Sequence, residues 1–156
     1  MLLAVISDTH GLLRPELLRE LRVRGPFDRI LHAGDIGDPR ILDALNRLAP
    51  VTAIRGNVDR EGICGQLPAT EALELEGCLV YMLHALEDLD LNPTAAQIGV
   101  VISGHSHQPS ISHRDGVLYL NPGSSGPHRF QLPITFALLT IDKGKPAAEI
   151  VELKLS

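Results

Sequence analysis

The sequence predicts an α/β fold: a layered α/β sandwich of two mixed β-sheets flanked by helices, with residues 1–156 forming a single domain. Three observations predict it. In the first third, apolar runs of strand length alternate with amphipathic helical stretches, the order of a parallel sheet with right-handed crossovers. The later part instead joins β-type runs through Glu76-Gly77, Asp115-Gly116 and Lys143-Gly144, which are turn signals of antiparallel pairing. A chain of 156 residues, 44% of them hydrophobic, suits one core.

The elements follow in order. Residues 2–7 are a short apolar run, read as a buried strand that stops at Ser7-Asp8. Pro15 sits at a first helical turn, and Leu17, Leu18 and Leu21 recur at helical spacing until Gly25-Pro26 ends the helix. Residues 28–32 read as a second strand. Pro39 opens a second helix with Ile41, Leu42, Leu45 and Leu48 on its buried face, and residues 51–54 form a third strand. Residues 70–75 and 78–83 read as a hairpin. Residues 93–98 read as a short helix begun by Pro93, and residues 99–103 as another buried strand. Further strands are expected near 110–114, 117–121, 134–142 and 147–155.

Almost every apolar run ends at a potential metal ligand. The first gives Asp8 and His10, the second Asp35 and the third Asn57. The run at 78–83 gives His84, and the run at 99–103 gives His105 and His107. In open α/β sheets, ligands bind beyond the carboxyl ends of the strands, so these segments can converge. Carboxylates, imidazoles and an amide oxygen suit manganese, iron, zinc or nickel, and the lack of thiolates argues against a structural zinc site. Gly11, Gly34, Gly56 and Gly104 flank the candidates and permit sharp turns. Singly, each motif has a plainer reading: a capping Asp, a turn, a surface or core His. Taken together at successive strand ends, they point to a metal centre.

Composition excludes several classes. The net charge of −5 and the absence of Trp, with only two Tyr and three Phe, argue against a nucleic-acid partner. No stretch approaches the ~20 apolar residues of a membrane span, and the N-terminus lacks the pattern of a secretory signal. Cys64 and Cys78 fall in no CxxC motif and read as free thiols. A cytoplasmic location is therefore expected.

Asp8-Thr9-His10-Gly11, Gly34-Asp35, Gly56-Asn57-Val58-Asp59, His84 and Gly104-His105-Ser106-His107 together resemble the five-part signature of the calcineurin-like metallophosphoesterases. The chain is most similar to their small YfcE type. Asn121-Pro122-Gly123-Ser124 also resembles the closing motif of that group. The resemblance implies the metallophosphoesterase fold and two divalent ions, manganese foremost, with iron, zinc or nickel also suitable. One ion would take Asp8, His10, Asp35 and His107. The other would take Asp35, Asn57, His84 and His105, with Asp35 bridging. A metal-bridging hydroxide would then attack phosphorus in a small phosphodiester or other phosphate ester.

Asp35, Asn57, His84 and Asp59 are expected to act in catalysis. Asp59 would steady a ligand or a nearby His, or else be a turn aspartate. His32 is expected to be buried and hydrogen-bonded, Arg14 could meet a substrate phosphate, and His113 and His128 are peripheral. Two departures from the family pattern stand out. Val58 replaces the His that assists the leaving group, and Ala85 follows His84 where the family has Gly. Relatives of the retromer-subunit type serve as scaffolds with a degraded metal site, a rival reading against which the complete ligand set weighs. Exposed sheet edges would permit a homo-oligomer.

Overall fold

The structure, a computed structural model, describes residues 1–156. The first sheet contains β1 (Leu2–Ile6), β2 (Arg29–His32), β3 (Val51–Ala53), β9 (Thr135–Asp142) and β10 (Lys145–Glu152), in the order β10-β9-β1-β2-β3. β1, β2 and β3 run parallel, while β9 and β10 pair antiparallel. The second sheet contains β4 (Thr70–Leu75), β5 (Cys78–Leu83), β6 (Val100–Ile102), β7 (Ser110–Arg114) and β8 (Val117–Asn121), in the order β4-β5-β6-β8-β7. Here β5, β6 and β8 are parallel and the two edge strands antiparallel. Both sheets are therefore mixed.

Alternation along the strands builds two apolar layers. On β1, Leu3 and Val5 face the second sheet and pack with Val80, Met82, Val100 and Ile102. Ala4 and Ile6 face the other way, toward α1 (Pro15–Arg24) and α2 (Pro39–Asn46), where Leu17, Leu21, Ile41 and Leu45 cover them. Strands buried on both faces need continuous apolar runs, as β1 and β2 have. Asp38 caps α2 by accepting from the Arg40 N–H, and Pro39 follows at the first helical position.

The outer face of the second sheet has no long helix over it. Leu83, Val101 and Val117 are covered by Ile98, Leu86, Leu89 and Leu91. The helix expected at 93–98 is a compact turn. The N–H groups of Ala96, Gln97 and Ile98 bond to the carbonyls of Asn92, Thr94 and Pro93, and Gln97 is left-handed at φ 59°. Only the Ala96 bond is of the i→i−4 kind, so no helical ladder propagates from it. Two short elements without periodicity escaped the sequence reading: α3 (Gly62–Gly65) and a 3₁₀ turn at Leu86–Asp88. No helix is long and apolar enough to cross a membrane.

Candidate metal centre

Parallel pairing sends the carboxyl ends of β1, β2 and β3 to one edge, and those of β5 and β6 meet them from the facing sheet. Backbone bonds lock the junctions. The Asp8 N–H donates to the Gly34 carbonyl at 3.0 Å and the His10 N–H to the Asp35 carbonyl at 2.9 Å. Within the second sheet, the Gly104 N–H donates to the His84 carbonyl at 2.9 Å; between the sheets, the His105 N–H donates to Asp8 Oδ2 at 3.0 Å.

Five of the anticipated ligand residues adopt left-handed backbone: Asp8, His10, Asp35, His105 and His107, with φ between 46° and 72°. Such conformations cost of order 1–3 kcal/mol each in non-glycine residues and persist only where surrounding contacts enforce them. Of the neighbouring glycines, Gly11 (φ 80°) and Gly34 (φ 101°) turn the chain as the sequence indicated, and the ligands turn it with them. Gly56 and Gly104 serve differently, by close approach. A Cβ on Gly104 would collide with Ser7 Oγ and come within 2.6 Å of Asp8 Oδ2, and one on Gly56 would collide with the Asp35 carboxylate. Gly104→Ala is therefore expected to lower the thermal midpoint by several degrees and to weaken metal binding, readable by calorimetry with and without divalent ion.

Asp8 Oδ1 and Asp35 Oδ2 are the hubs. Asp8 Oδ1 lies 3.6 Å from His10 Nε2, 3.8 Å from His84 Nε2 and 3.4 Å from His107 Nε2. Asp35 Oδ2 lies 3.4 Å from His10 Nε2 and 3.2 Å from His84 Nε2. Most of these separations exceed good hydrogen bonds, and Asp8 Oδ1, His10 Nε2, His84 Nε2 and both ring nitrogens of His107 are buried without a partner. Orphaned buried polar atoms are costly. Two donors that each sit ~2.0–2.2 Å from one cation end up about 3–4 Å apart, the spacing observed. The residues thus fit divalent ions, in two overlapping groups: Asp8, His10 and His107, and Asp8, Asp35 and His84.

Asn57 and His105 stand slightly apart, on the wall of a cleft of about 500 Å³ that His84 also lines. The His84 and His105 rings are 5.2 Å apart. His84 is fixed by its Nδ1–H, which donates to the Ala33 carbonyl at 2.8 Å and leaves Nε2 to face the carboxylates.

Electrostatics agree with this arrangement. Burial opposes the charge of Asp8, but the imidazoles of His10 and His107, the Ser7 hydroxyl and the charge of His84 outweigh it and hold the carboxyl far below the usual range. Burial likewise opposes the charge of Asp35, and the His84 ring and the Val58 N–H overcome it. Burial disfavours a proton on His84, yet Asp35, the Ala33 carbonyl and Asp8 raise its pKa. The carboxylates call for positive charge here, and a proton and a metal ion compete for the same Nε2.

Asp59 accepts three backbone N–H bonds, from Gly56 and Ile36 at Oδ2 and from Gly37 at Oδ1, at 2.9–3.1 Å. None of these bonds comes from a histidine; they tie the Asp35 loop to the Asn57 loop. Arg14 donates from Nε to the Gly126 carbonyl at 2.8 Å and so braces the chain after Ser125.

His32 is fully buried, as expected. The Gly34 N–H donates to its Nδ1 at 3.1 Å, so Nε2 carries the hydrogen and donates to Thr9 Oγ1 at 3.0 Å, which donates onward to the Ile36 carbonyl. Burial depresses its pKa to about 4, against the opposing pull of Asp8 and Asp59. The unfolded chain therefore takes up this proton first on acidification. The contribution of His32 to stability is full above pH ~6.5 and falls by up to about 3 kcal/mol toward pH 4. Urea unfolding across that range should show the gap between wild type and His32→Asn narrowing by about that amount.

The sequence model of the calcineurin-like phosphoesterase superfamily domain matches residues 1–144. This chain belongs to that family. A protein of Methanothermobacter thermautotrophicus named Probable metallophosphoesterase is 38% identical over 165 residues, covering 97% of this chain and 92% of that one. The Escherichia coli K12 protein named Phosphodiesterase YfcE is 26% identical over 163 residues, covering 91% and 89%. The solved structure of an archaeal phosphodiesterase superposes with a TM-score of 0.81 across 97% of this chain and 100% of that one, at 21% identity, a likeness of fold. The family is metal-dependent, and the orphaned donors are this chain's candidate ligands.

Proposed function

We propose that this chain is a two-metal phosphodiesterase, with manganese as the first choice of ion. The reading rests chiefly on the buried, unpartnered donors of Asp8, His10, His84 and His107 at converging strand ends, in a member of a metal-dependent phosphoesterase family. Asp8, His10, Asp35 and His107 would hold one ion. Asp35, Asn57, His84 and His105 would hold the other, with Asp35 shared. When bound, such ions supply Lewis acidity toward phosphoryl oxygens and lower the pKa of water from 15.7 toward about 7.

The chain's own residues do the rest. The Ala33 carbonyl holds the His84 tautomer, and the Val58 N–H fixes Asp35 by donating to Oδ1 at 3.0 Å. Burial of Asp8 and His107 keeps bulk water from the carboxylate hubs, which strengthens their electrostatic interactions. Asn57 and His105 border the open cleft where an ester substrate has room. We place the reaction in a reducing compartment, the cytoplasm, where the buried and unpaired Cys64 and Cys78 stay thiols.

Val58, 45% exposed, can neither donate a proton nor bear charge. Departure of a poor leaving group is therefore unassisted from this position. Aryl phosphodiesters should turn over at least about tenfold faster than alkyl monoesters, since a positioned general acid is worth 10²–10⁴ where present. The direct test is hydrolysis of bis-p-nitrophenyl phosphate by metal-stripped protein, with and without Mn²⁺, beside His107→Ala. Ion-dependent turnover that the variant loses is expected. No turnover despite bound metal would overturn the reading.

A further inference from the structure

Two buried serines hold Asp8, and they hold different parts of it. Ser7, with no exposed surface, donates from Oγ to Asp8 Oδ2 at 2.6 Å. Ser124, equally buried, donates from Oγ to the Asp8 backbone carbonyl at 2.9 Å. The direction of the Ser7 bond is set by chemistry, since an ionised carboxylate only accepts. The same Oδ2 also accepts the His105 N–H at 3.0 Å. Two donors therefore occupy Oδ2. Oδ1 is buried, has no partner and faces the Nε2 atoms of His10, His84 and His107. Gly104 makes the arrangement possible, because a Cβ there would collide with Ser7 Oγ.

Asp35 is held in the same manner. Its Oδ1 accepts the Val58 N–H at 3.0 Å, and Oδ2 is the oxygen turned toward His10 and His84. Each of these carboxylates thus has one oxygen tied to protein donors and one left for an ion. The Asp35 tie is a backbone bond that every residue but proline supplies at position 58. The Asp8 tie to Ser7 depends on a hydroxyl at position 7. We propose that Ser7 is a positioning residue for ion selectivity: it keeps Asp8 a one-oxygen ligand and so turns the centre against calcium. Ca²⁺ takes about six to eight oxygens and can draw two of them from a single carboxylate. Transition ions bind with fewer donors and accept imidazole. The imidazoles around Asp8 Oδ1 already favour such ions, and the tied Oδ2 withholds the chelating pair that a calcium ion would use. The inference rests on the metal-centre part of the phosphodiesterase reading and adds which ions that centre admits.

The test is ion binding to the metal-stripped full chain, by calorimetric titration with Mn²⁺ and with Ca²⁺, in wild type, Ser7→Ala and Ser124→Ala. The ratio of the two dissociation constants is the readout, so a general loosening of the site cancels. In Ser7→Ala the preference for Mn²⁺ should fall about tenfold or more, the scale on which groups that orient a ligand act. Weaker Mn²⁺ binding and stronger Ca²⁺ binding should both contribute. Ser124→Ala removes a buried hydroxyl from the same aspartate but leaves the carboxylate tied. Its ratio should match wild type even where its thermal midpoint falls. Alanine fits within the space of serine, so Ser7→Ala is expected to fold, and thermal unfolding of the stripped protein checks it. Ser7→Thr keeps the hydroxyl and should keep the wild-type ratio. An unchanged ratio in Ser7→Ala, an equal fall in Ser124→Ala, or a fall in folded Ser7→Thr overturns this inference and leaves the phosphodiesterase reading standing. No Mn²⁺ binding by the wild type removes both.

Discussion

Asp35→Asn should reduce phosphodiester turnover by at least about a hundredfold while leaving the fold intact. The reason lies in which oxygen does what. Asp35 Oδ1 accepts the Val58 N–H at 3.0 Å, so in the variant the amide oxygen takes that place. The amide NH₂ then stands where Oδ2 was, between His10 Nε2 and His84 Nε2. An NH₂ group donates hydrogen bonds and cannot ligate a cation. The charge that favours a cation there also disappears. Loss of residues that merely orient a ligand costs 10–100-fold in metal affinity or activity, so loss of a shared ligand sets a higher floor. The measurement is kcat/KM for bis-p-nitrophenyl phosphate with metal content of the same sample. Full turnover with full metal content would remove Asp35 from the bridging position.

Asp59→Ala should be the most destabilising single change near the site, by about 3 kcal/mol or more. Its carboxylate serves three backbone donors, those of Gly56, Ile36 and Gly37. Removing it strands donors in a region with little access to water, at about 1–3 kcal/mol for each buried one. The loops of Asp35 and Asn57 would lose their shared tie, so metal affinity should fall together with stability. Chemical denaturation gives the first effect and metal titration the second. Asp59→Asn keeps one acceptor oxygen and should lie between. If Asp59→Ala lost activity without losing stability or metal, Asp59 would belong to the chemistry after all.

Much of this was legible in the chain because strand-forming runs here are short, apolar and punctuated. β1, β5, β7 and β8 fall within a residue of where the alternation and turn signals placed them, and α1 ends at Gly25 as the Gly-Pro pair indicated. The candidate residues were visible because each follows a strand directly. What stayed hidden depends on long-range geometry. Nothing local to Asp59 says that its carboxylate will reach the Ile36 and Gly37 amides more than twenty residues away. Nor does the sequence reveal that Asp8, His10, Asp35, His105 and His107 themselves take left-handed backbone, since bonds to residues distant in the chain, such as Asp8 N–H to the Gly34 carbonyl, hold these loops. The segment 93–98 misled for the opposite reason: its Pro93 is a genuine helix-start signal, but the chain must turn back at Gln97 to enter β6. The cleft also escaped notice, since Arg55, Tyr81 and Asp90 meet only once the second sheet is folded.

The measurement to make first is the number of Mn²⁺ ions bound per chain, by equilibrium dialysis and elemental analysis, followed against bis-p-nitrophenyl phosphate turnover as metal is added back to stripped protein. Two ions per chain are expected, with turnover rising as the second site fills and both lost in Asp8→Asn. Full turnover with one ion per chain, or turnover that survives in Asp8→Asn, would contradict a two-metal centre built on these strand ends.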